Sequence, residues 1–157
     1  MQFSGTLDLP IIGWREWLML PDLEIAQIKA KIDTGARSSA LHVSNIEYFQ
    51  RGEVDWVRFT AHPRQEDLTH TVIAEANLLE IRSVKNSGGQ EESRPVIQTT
   101  VALGHQRWEI EMTLTSRDQM GFRMLLGREA VRDRFLVHAG QSYLQSTKPT
   151  SPPVPIN

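Results

Sequence analysis

The sequence of 157 residues contains no cysteine, which excludes disulfides, thiolate zinc sites, iron–sulfur clusters and a cysteine nucleophile. It also lacks a large excess of charge of one sign, because it contains 17 lysines and arginines and 19 aspartates and glutamates. Bulk charge therefore gives no reason to expect nucleic acid or an anionic membrane as a partner. Apolar runs fall far short of the ~20 residues of a membrane helix, and residues 1–10 lack the pattern of a signal peptide. We expect one cytoplasmic domain.

Helical patterning is scarce, and most of the chain alternates as short strands do. Over residues 25–32, apolar Ile28, Ala30 and Ile32 alternate with polar residues, a period of two that predicts a half-buried strand. Only residues 128–134 have a helical composition. Many short strands separated by turn signals favour a small barrel or sandwich. Further strands are predicted over residues 14–20, 40–43, 54–60, 78–84, 96–103 and 108–114.

Two segments differ from this strand-rich pattern. Residues 85–92 are polar and contain Gly88 and Gly89, which predicts a hairpin tip or lid. Residues 146–157 hold four of the eight prolines and almost no charge, which predicts a disordered or polyproline-like tail. We therefore expect a single domain over residues 1–145, followed by this tail.

The most distinctive motif is Asp33-Thr34-Gly35-Ala36, which directly follows the strand at residues 25–32. One interpretation is an ordinary turn, because aspartate, threonine and glycine are common turn residues. The other is a carboxylate held in a fixed direction at a strand end. A second motif near the other end of the chain, residues 122–129, is an apolar strand that ends in Gly-Arg and leads into the short helix.

Together these motifs resemble the retropepsin-like aspartic peptidases. In those proteins an Asp-Thr-Gly-Ala loop after a strand is followed by a flap hairpin and by an apolar strand ending in Gly-Arg. Residues 13–16 (Gly-Trp-Arg-Glu), 30–42 and 124–129 are similar to a bacterial family labelled ATP-dependent zinc proteases. Its members are often found beside or fused to ATP-grasp ligases of the glutamate-ligating RimK type. The resemblance covers residues 12–138.

The resemblance implies an all-β, closed six-stranded retropepsin-like barrel with one short C-terminal helix. It implies peptide-bond, isopeptide or amide hydrolysis of the aspartic type, with Asp33 as the catalytic carboxylate. Residues 85–92 would form the flap. The residues implied to support the catalytic loop are Thr34, Gly35, Ala36, Gly127 and Arg128, and those implied to contact substrate are Arg37, Ser38, Gly88 and Gly89.

Aspartic-peptidase chemistry needs two carboxylates that share one proton across a bound water. The sequence contains one Asp-Thr-Gly, and its nearest imitation, residues 118–121, lacks the hydroxyl residue. The second carboxylate must therefore come from another chain. A two-fold homodimer that places Asp33 against its symmetry mate is the simplest solution.

Arg37 is a departure from the retroviral pattern, in which an acid at this position pairs with the arginine of the Gly-Arg strand. Arg128 must therefore find another partner, and Glu129 and Asp133 are candidates. Arg37 itself has two interpretations. It is either a surface charge or interface ion pair, or a bidentate ligand for a substrate carboxylate, which would suit acidic or glutamate-rich peptides.

The sequence gives little support to the words zinc and ATP in that family label. Its five histidines form no His-Glu-x-x-His motif, and no phosphate-binding Gly-x-x-x-x-Gly-Lys-Ser/Thr loop is present. We therefore predict no metal and no cofactor. Two alternatives stay open: a non-catalytic peptide-binding module partnered with an ATP-grasp ligase, and a metal-dependent protease.

Overall fold

The computed structural model describes residues 8–65, 67, 69–86, 88–116 and 121–147. Most of the predicted tail and residues 118–120 of the Asp-Thr-Gly imitation at 118–121 lie outside these ranges. Among the described residues there is one α-helix, α1 (Arg128–Val131), and one 3-10 turn (Pro21–Leu23). No helix there is long and apolar enough to cross a membrane. The strands are β1 (Ile11–Gly13), β2 (Arg15–Leu20), β3 (Ile25–Asp33), β4 (Ser39–Arg51), β5 (Val54–Ala61), β6 (Val72–Lys85), β7 (Glu91–Leu103), β8 (Gln106–Thr115), β9 (Met124–Gly127) and β10 (Leu136–His138).

The strands close into a barrel. Hydrogen-bonded neighbours run β2-β3-β9-β4-β5-β6-β7, and β7 returns to β2 through the pair Met19 and Ala102, so seven strands form a near-closed ring. Strand β8 follows β7 and also pairs with β4. The predicted all-β barrel with one short helix is confirmed, but the ring has seven strands instead of the expected six.

Strand β4 is much longer than the predicted segment 40–43. Its register against β5 shifts between Ser44 and Glu47, and Asn45 there has a left-handed φ of 54°. Such a bulge shifts the alternation of inward and outward side chains by one residue. The sequence pattern of period two therefore breaks at the bulge, and the second half of the strand was not predicted. The predicted helix at residues 128–134 is shorter than expected, because the chain leaves helical geometry at Arg132, where ψ is 132°, and Asp133 then takes a left-handed φ of 63°.

The core lies on one side of the strands. Ile28, Ala30 and Ile32 face it, as the alternation predicts, together with Met124 and Leu126 of β9. Ile25 at the start of β3 also belongs to this core, whereas Lys29, Lys31, Asp33, Leu125 and Gly127 alternate to the other side. The barrel wall therefore has a second face, which carries the end of β3.

Glu16 joins the two ends of the chain. Its carboxylate is fully buried (0% exposed). Oε2 accepts hydrogen bonds from the backbone of Gly13 and Leu144, both at 2.7 Å, and Oε1 accepts from Gln145 N at 3.1 Å and Ser146 Oγ at 2.6 Å. Four donors satisfy the charge that burial would otherwise penalise. The segment after β10 is thereby held against β2, and the Gly-Trp-Arg-Glu motif acquires a structural role.

Replacing Glu16 by glutamine should destabilise the protein by about 3 kcal/mol, because the amide group places donors against backbone donors and leaves buried groups unsatisfied. Denaturant unfolding at fixed protein concentration measures this change. Glu53→Gln, at an exposed position, is the matched control and should be neutral. Equal stability of the two variants would contradict the assigned role of Glu16.

Candidate active site

Asp33 is the last residue of β3, where it lies opposite Gly127 of the parallel strand β9. The chain then turns back on the carboxylate. The backbone N–H groups of Gly35 and Ala36 both donate to Asp33 Oδ1, at 2.9 and 3.2 Å. Because both hydrogen bonds end on the same oxygen, holding the loop does not require Oδ2. Asp33 is half-buried, and Thr34 beside it is exposed.

The start of α1 holds the loop from behind. Arg128 N donates to Ala36 O at 2.8 Å, and the Arg128 guanidinium donates to Gly35 O at 3.1 Å. Glu129 N donates to Arg37 O at 3.3 Å. The expectation that Glu129 or Asp133 would pair with Arg128 is wrong. Both acids lie within ion-pair distance of Arg132 instead, at 3.5 and 3.9 Å.

Gly127 is required by close packing. A Cβ atom built there would lie 2.6 Å from the carbonyl carbon of Ser38 and 2.8 Å from Arg37 O. These neighbours are backbone atoms, which cannot rotate away as a side chain can. The loop backbone at Arg37 and Ser38 therefore packs directly against Gly127, and this contact fixes the distance between the loop and the end of β9.

Ser39 and Thr113 complete the support, and sequence inspection missed both. Ser39 is buried, and its Oγ accepts from Gly127 N at 3.0 Å. The carbonyl of Ser39 in turn accepts from Thr113 Oγ1 at 3.0 Å. The sequence signal was a hydroxyl residue at the start of a strand, which is too common to single out one position.

Arg37 and Ser38 line a cleft of about 440 Å³ beside the loop. Its walls mix both charges, since Arg82, Arg134, Glu111 and Glu129 also line it. Arg82 forms ion pairs with Glu111 at 2.9 Å and with Glu80 at 2.7 Å. Within the described part of the chain, no acid lies within ion-pair distance of Arg37.

Of residues 85–92, the segment predicted to form the flap, the described ones connect β6 to β7, and residue 87 lies outside the described ranges. Asn86 organises its tip, where Asn86 Oδ1 accepts from Gly88 N at 2.9 Å and Gln90 N at 3.1 Å. Gly89 has a φ of 82°, which favours glycine. The hydrogen bonds of Gly88 and Gly89 are made within this turn, and their contact with substrate stays a prediction.

Among the residues that the structure describes, no three His, Asp or Glu side chains group closely enough to hold a metal ion. His42 and His62 do pair, with ring centroids 5.7 Å apart, and His62 Nε2 lies 2.8 Å from Ser44 Oγ. Burial lowers the pKa of His62, and the nearby His42 and Arg123 lower it further. This pair therefore sits in positively charged surroundings.

A β-barrel whose strand-ending Asp-Thr-Gly loop is supported by a Gly-Arg strand is a retropepsin-like fold. The model of the RimB-like family, described as retropepsin-like aspartic endopeptidase RimB, matches residues 11–148. The chain belongs to this family. A solved structure, the Legionella pneumophila protein Lpg0085 of unknown function, superposes with a TM-score of 0.72 and 29% identity, covering 85% of this chain and 96% of that one.

The curated relatives are much longer proteins. A probable alpha-L-glutamate ligase of Parasynechococcus marenigrum is 49% identical over 127 residues, which is 81% of this chain and 27% of the relative. Those of Desulfotalea psychrophila and Shewanella pealeana are 46% and 43% identical, over 81% and 88% of this chain. The chain spans less than a third of the length of these relatives.

Gly127→Ala should destabilise the protein by about 1–3 kcal/mol, because the new methyl group forces the loop backbone away from β9. Denaturant unfolding measures the loss, and amide hydrogen exchange at Gly35 and Ala36 should accelerate. Gly88→Ala is the matched control, since its added Cβ would lie 3.4 Å from Asn86 Oδ1, an ordinary contact. Unchanged stability and exchange in Gly127→Ala would refute the close-packing role.

Proposed function

We propose that the chain is an aspartic-type hydrolase of peptide, isopeptide or amide bonds, with Asp33 as its catalytic carboxylate. The observation that carries this proposal is the loop that presents Asp33: two backbone N–H groups hold Oδ1, and Gly127 and Arg128 hold the loop. That arrangement occurs in a member of a family described as aspartic endopeptidases. A cytoplasmic location stays a prediction of the sequence.

The proposed chemistry needs a second copy of the chain. The sequence has one Asp-Thr-Gly motif, so a two-fold dimer would pair Asp33 with Asp33 of the partner subunit. Two carboxylates a few ångströms apart cannot both ionise, so they share one proton. One carboxylate then takes a proton from the bound water, while the protonated one donates a hydrogen bond to the scissile carbonyl.

The pairing of the terminal strands limits which surface such a dimer can use. Strand β1 pairs in parallel with β10 of the same chain, from Ile11 with Leu136 to Gly13 with His138. The segment after β10 is held against β2 by Glu16. The dimer would therefore use a surface other than strands exchanged between the two copies.

Acidic or glutamate-rich chains are the substrates that we propose. Arg37 lies beside the catalytic loop with no acidic partner in the described residues, so its guanidinium can accept a substrate carboxylate in a bidentate contact. The printed names of the relatives are those of alpha-L-glutamate ligases. An ATP-grasp ligase is accordingly the partner that we propose, with ligation and hydrolysis acting on the same kind of chain.

A peptide-binding module without catalysis is the second candidate, favoured by the intramolecular pairing of β1 with β10, which removes the strand exchange a tight dimer could use. The third candidate, a metal-dependent protease, would be recognised by loss of activity on chelation. In neither of these two candidates does Asp33 act as one of a pair of catalytic carboxylates.

Asp33→Asn should abolish hydrolysis, with a loss of at least about 10³-fold. The asparagine Oδ1 can still accept from Gly35 and Ala36, so the fold should persist, as circular dichroism and unfolding would show. The substrates are acidic peptides whose cleavage is followed by mass spectrometry. Asp55→Asn, on an exposed hairpin, is the control. Full hydrolysis by Asp33→Asn, or loss of activity with chelator alone, would overturn the proposal.

Activity should depend on the dimer. Specific activity should fall on dilution below the dissociation constant, which analytical ultracentrifugation measures independently. Adding an equal amount of Asp33→Asn chain should reduce the activity of the intact chain to about half, because random exchange puts half of the intact subunits into mixed dimers. Asp55→Asn should cause no loss. An active monomer would contradict a shared dyad.

A further inference from the structure

A second cavity opens where strands β6 and β7 separate. The described pairing between these strands begins at Leu78 and Ile97. Beyond this pair, toward Asn77 and Gln98, the 3-10 turn Pro21–Leu23 lies against both strands, and a cavity of about 350 Å³ remains. The cavity is large enough for a small ligand or an inserted side chain, and the catalytic loop does not line it.

Two carboxylates, those of Asp22 and Glu109, lie at this cavity on either side of Thr100. Asp22 Oδ2 accepts a hydrogen bond from Thr100 N at 3.1 Å, and Thr100 is directly opposite Glu109 in the pair of β7 with β8. Glu109 Oε2 accepts from Gln98 Nε2 at 2.9 Å. Both acids are exposed. In the described part of the chain no cation lies within ion-pair distance of either, so their two negative charges are available to a ligand.

A third acid on the cavity wall, Glu75, is already neutralised. Its Oε1 accepts from Arg51 at 3.1 Å and its Oε2 from Arg58 at 2.8 Å, while Arg58 also pairs with Glu47 at 3.5 Å. The hydrogen bonds from Arg51 and Arg58 lower the pKa of Glu75, because they favour its charged form. Two acids and two arginines balance in this network, so the net charge of the cavity comes from the other two acids.

A buried hydroxyl group lies at the floor of the cavity. Thr99 lines it and is only 2% exposed, and Thr99 Oγ1 has no hydrogen-bond partner among the residues that the structure describes. Leu23 and Ala76, which belong to the core, line the same floor. Buried polar groups without a partner are rare, because each has lost its hydration. The Thr99 hydroxyl therefore indicates a polar ligand group at this floor, independently of the two carboxylates.

An alkylammonium group is the ligand that matches these features. It has three N–H donors and no acceptor, and the cavity offers carboxylate oxygens at its rim and a hydroxyl oxygen at its floor. Trp56 and Leu79 form an apolar wall against which a methylene stem can pack. A metal ion fits less well, since within the described ranges no three His, Asp or Glu side chains group closely enough to hold one.

We propose that this cavity binds the side chain of a lysine in a polypeptide. Glu109 lines both this cavity and the cleft that contains Arg37, so one polypeptide can occupy the two sites together. A free diamine has the same ammonium chemistry but would occupy the cavity alone. The inference goes beyond the proposed function and does not depend on hydrolysis at Asp33.

Titration of the unaltered chain, followed by two-dimensional amide NMR, tests this inference. The probe is the acetylated and amidated peptide Ala-Ala-Lys-Ala-Ala, and the control peptide has norleucine in place of lysine, which keeps the stem and removes the ammonium group. The lysine peptide should shift the amide signals of Leu23, Gln98 and Thr100 at millimolar concentration, and added salt should weaken this binding. The norleucine peptide should leave the signals in place.

Charge-removing variants show whether the two carboxylates make the contact. Asp22→Asn and Glu109→Gln keep an oxygen that can accept from Thr100 N and Gln98 Nε2, so the fold should persist. Each should weaken binding of the lysine peptide about threefold, and the double variant about tenfold. Glu53→Gln, at an exposed position, is the matched control and should leave the affinity unchanged.

Thr99→Val tests the floor of the cavity, because valine keeps the shape of the side chain and removes the hydroxyl group. The variant should unfold at a higher denaturant concentration than the unaltered chain, since an unpartnered buried hydroxyl is lost. It should also bind the lysine peptide about threefold more weakly. Lower stability together with unchanged lysine binding would refute the role of Thr99 as a ligand contact.

Three results would overturn the site or its assignment. Absence of amide shifts with the lysine peptide, or equal shifts with the norleucine peptide, would refute an ammonium site. Unchanged affinity in the double variant of Asp22 and Glu109 would also refute it. Tighter binding of putrescine, a free diamine, than of the lysine peptide would contradict the assignment to a polypeptide.

Discussion

The parallel pairing of β3 with β9 is the constraint on which the rest of the site depends. It sets Asp33 opposite Gly127, and the absence of a side chain at Gly127 lets the loop from Thr34 to Ser38 lie directly on the strand end. The loop can then donate two N–H groups to Asp33 Oδ1 and receive two hydrogen bonds from Arg128. A carboxylate with both its position and its direction fixed follows from this one contact.

The same pairing also decides what surrounds the carboxylate. Because partners across a sheet share a face, fixing Asp33 opposite Gly127 also fixes Lys31 opposite Leu125 and Ile32 opposite Leu126. Ile32, Met124 and Leu126 fill the core side of these strands, which leaves Lys31 and Asp33 on the opposite face. The position of Asp33 and the packing beneath it are therefore two consequences of one strand register.

Local patterns predicted at least part of every strand except β1 and β10, together with the two motifs that meet at the site. Alternation located β3, and the Gly-Arg motif located the end of β9, because both signals lie within a few residues. Long-range pairing left no such signal. The strands β1 and β10 have three residues each and exist because they pair with one another, and the role of Glu16 depends on N–H groups about 130 residues away. The roles of the site residues themselves stay predictions.

The most direct measurement is a crystal structure of the chain with a peptide analogue that carries a hydroxyl group in place of the scissile carbonyl. We expect a two-fold dimer in which Asp33 and Asp33 of the partner subunit both hydrogen-bond that hydroxyl. A bound monomer, or a dimer whose two Asp33 carboxylates face different molecules of the analogue, would contradict it.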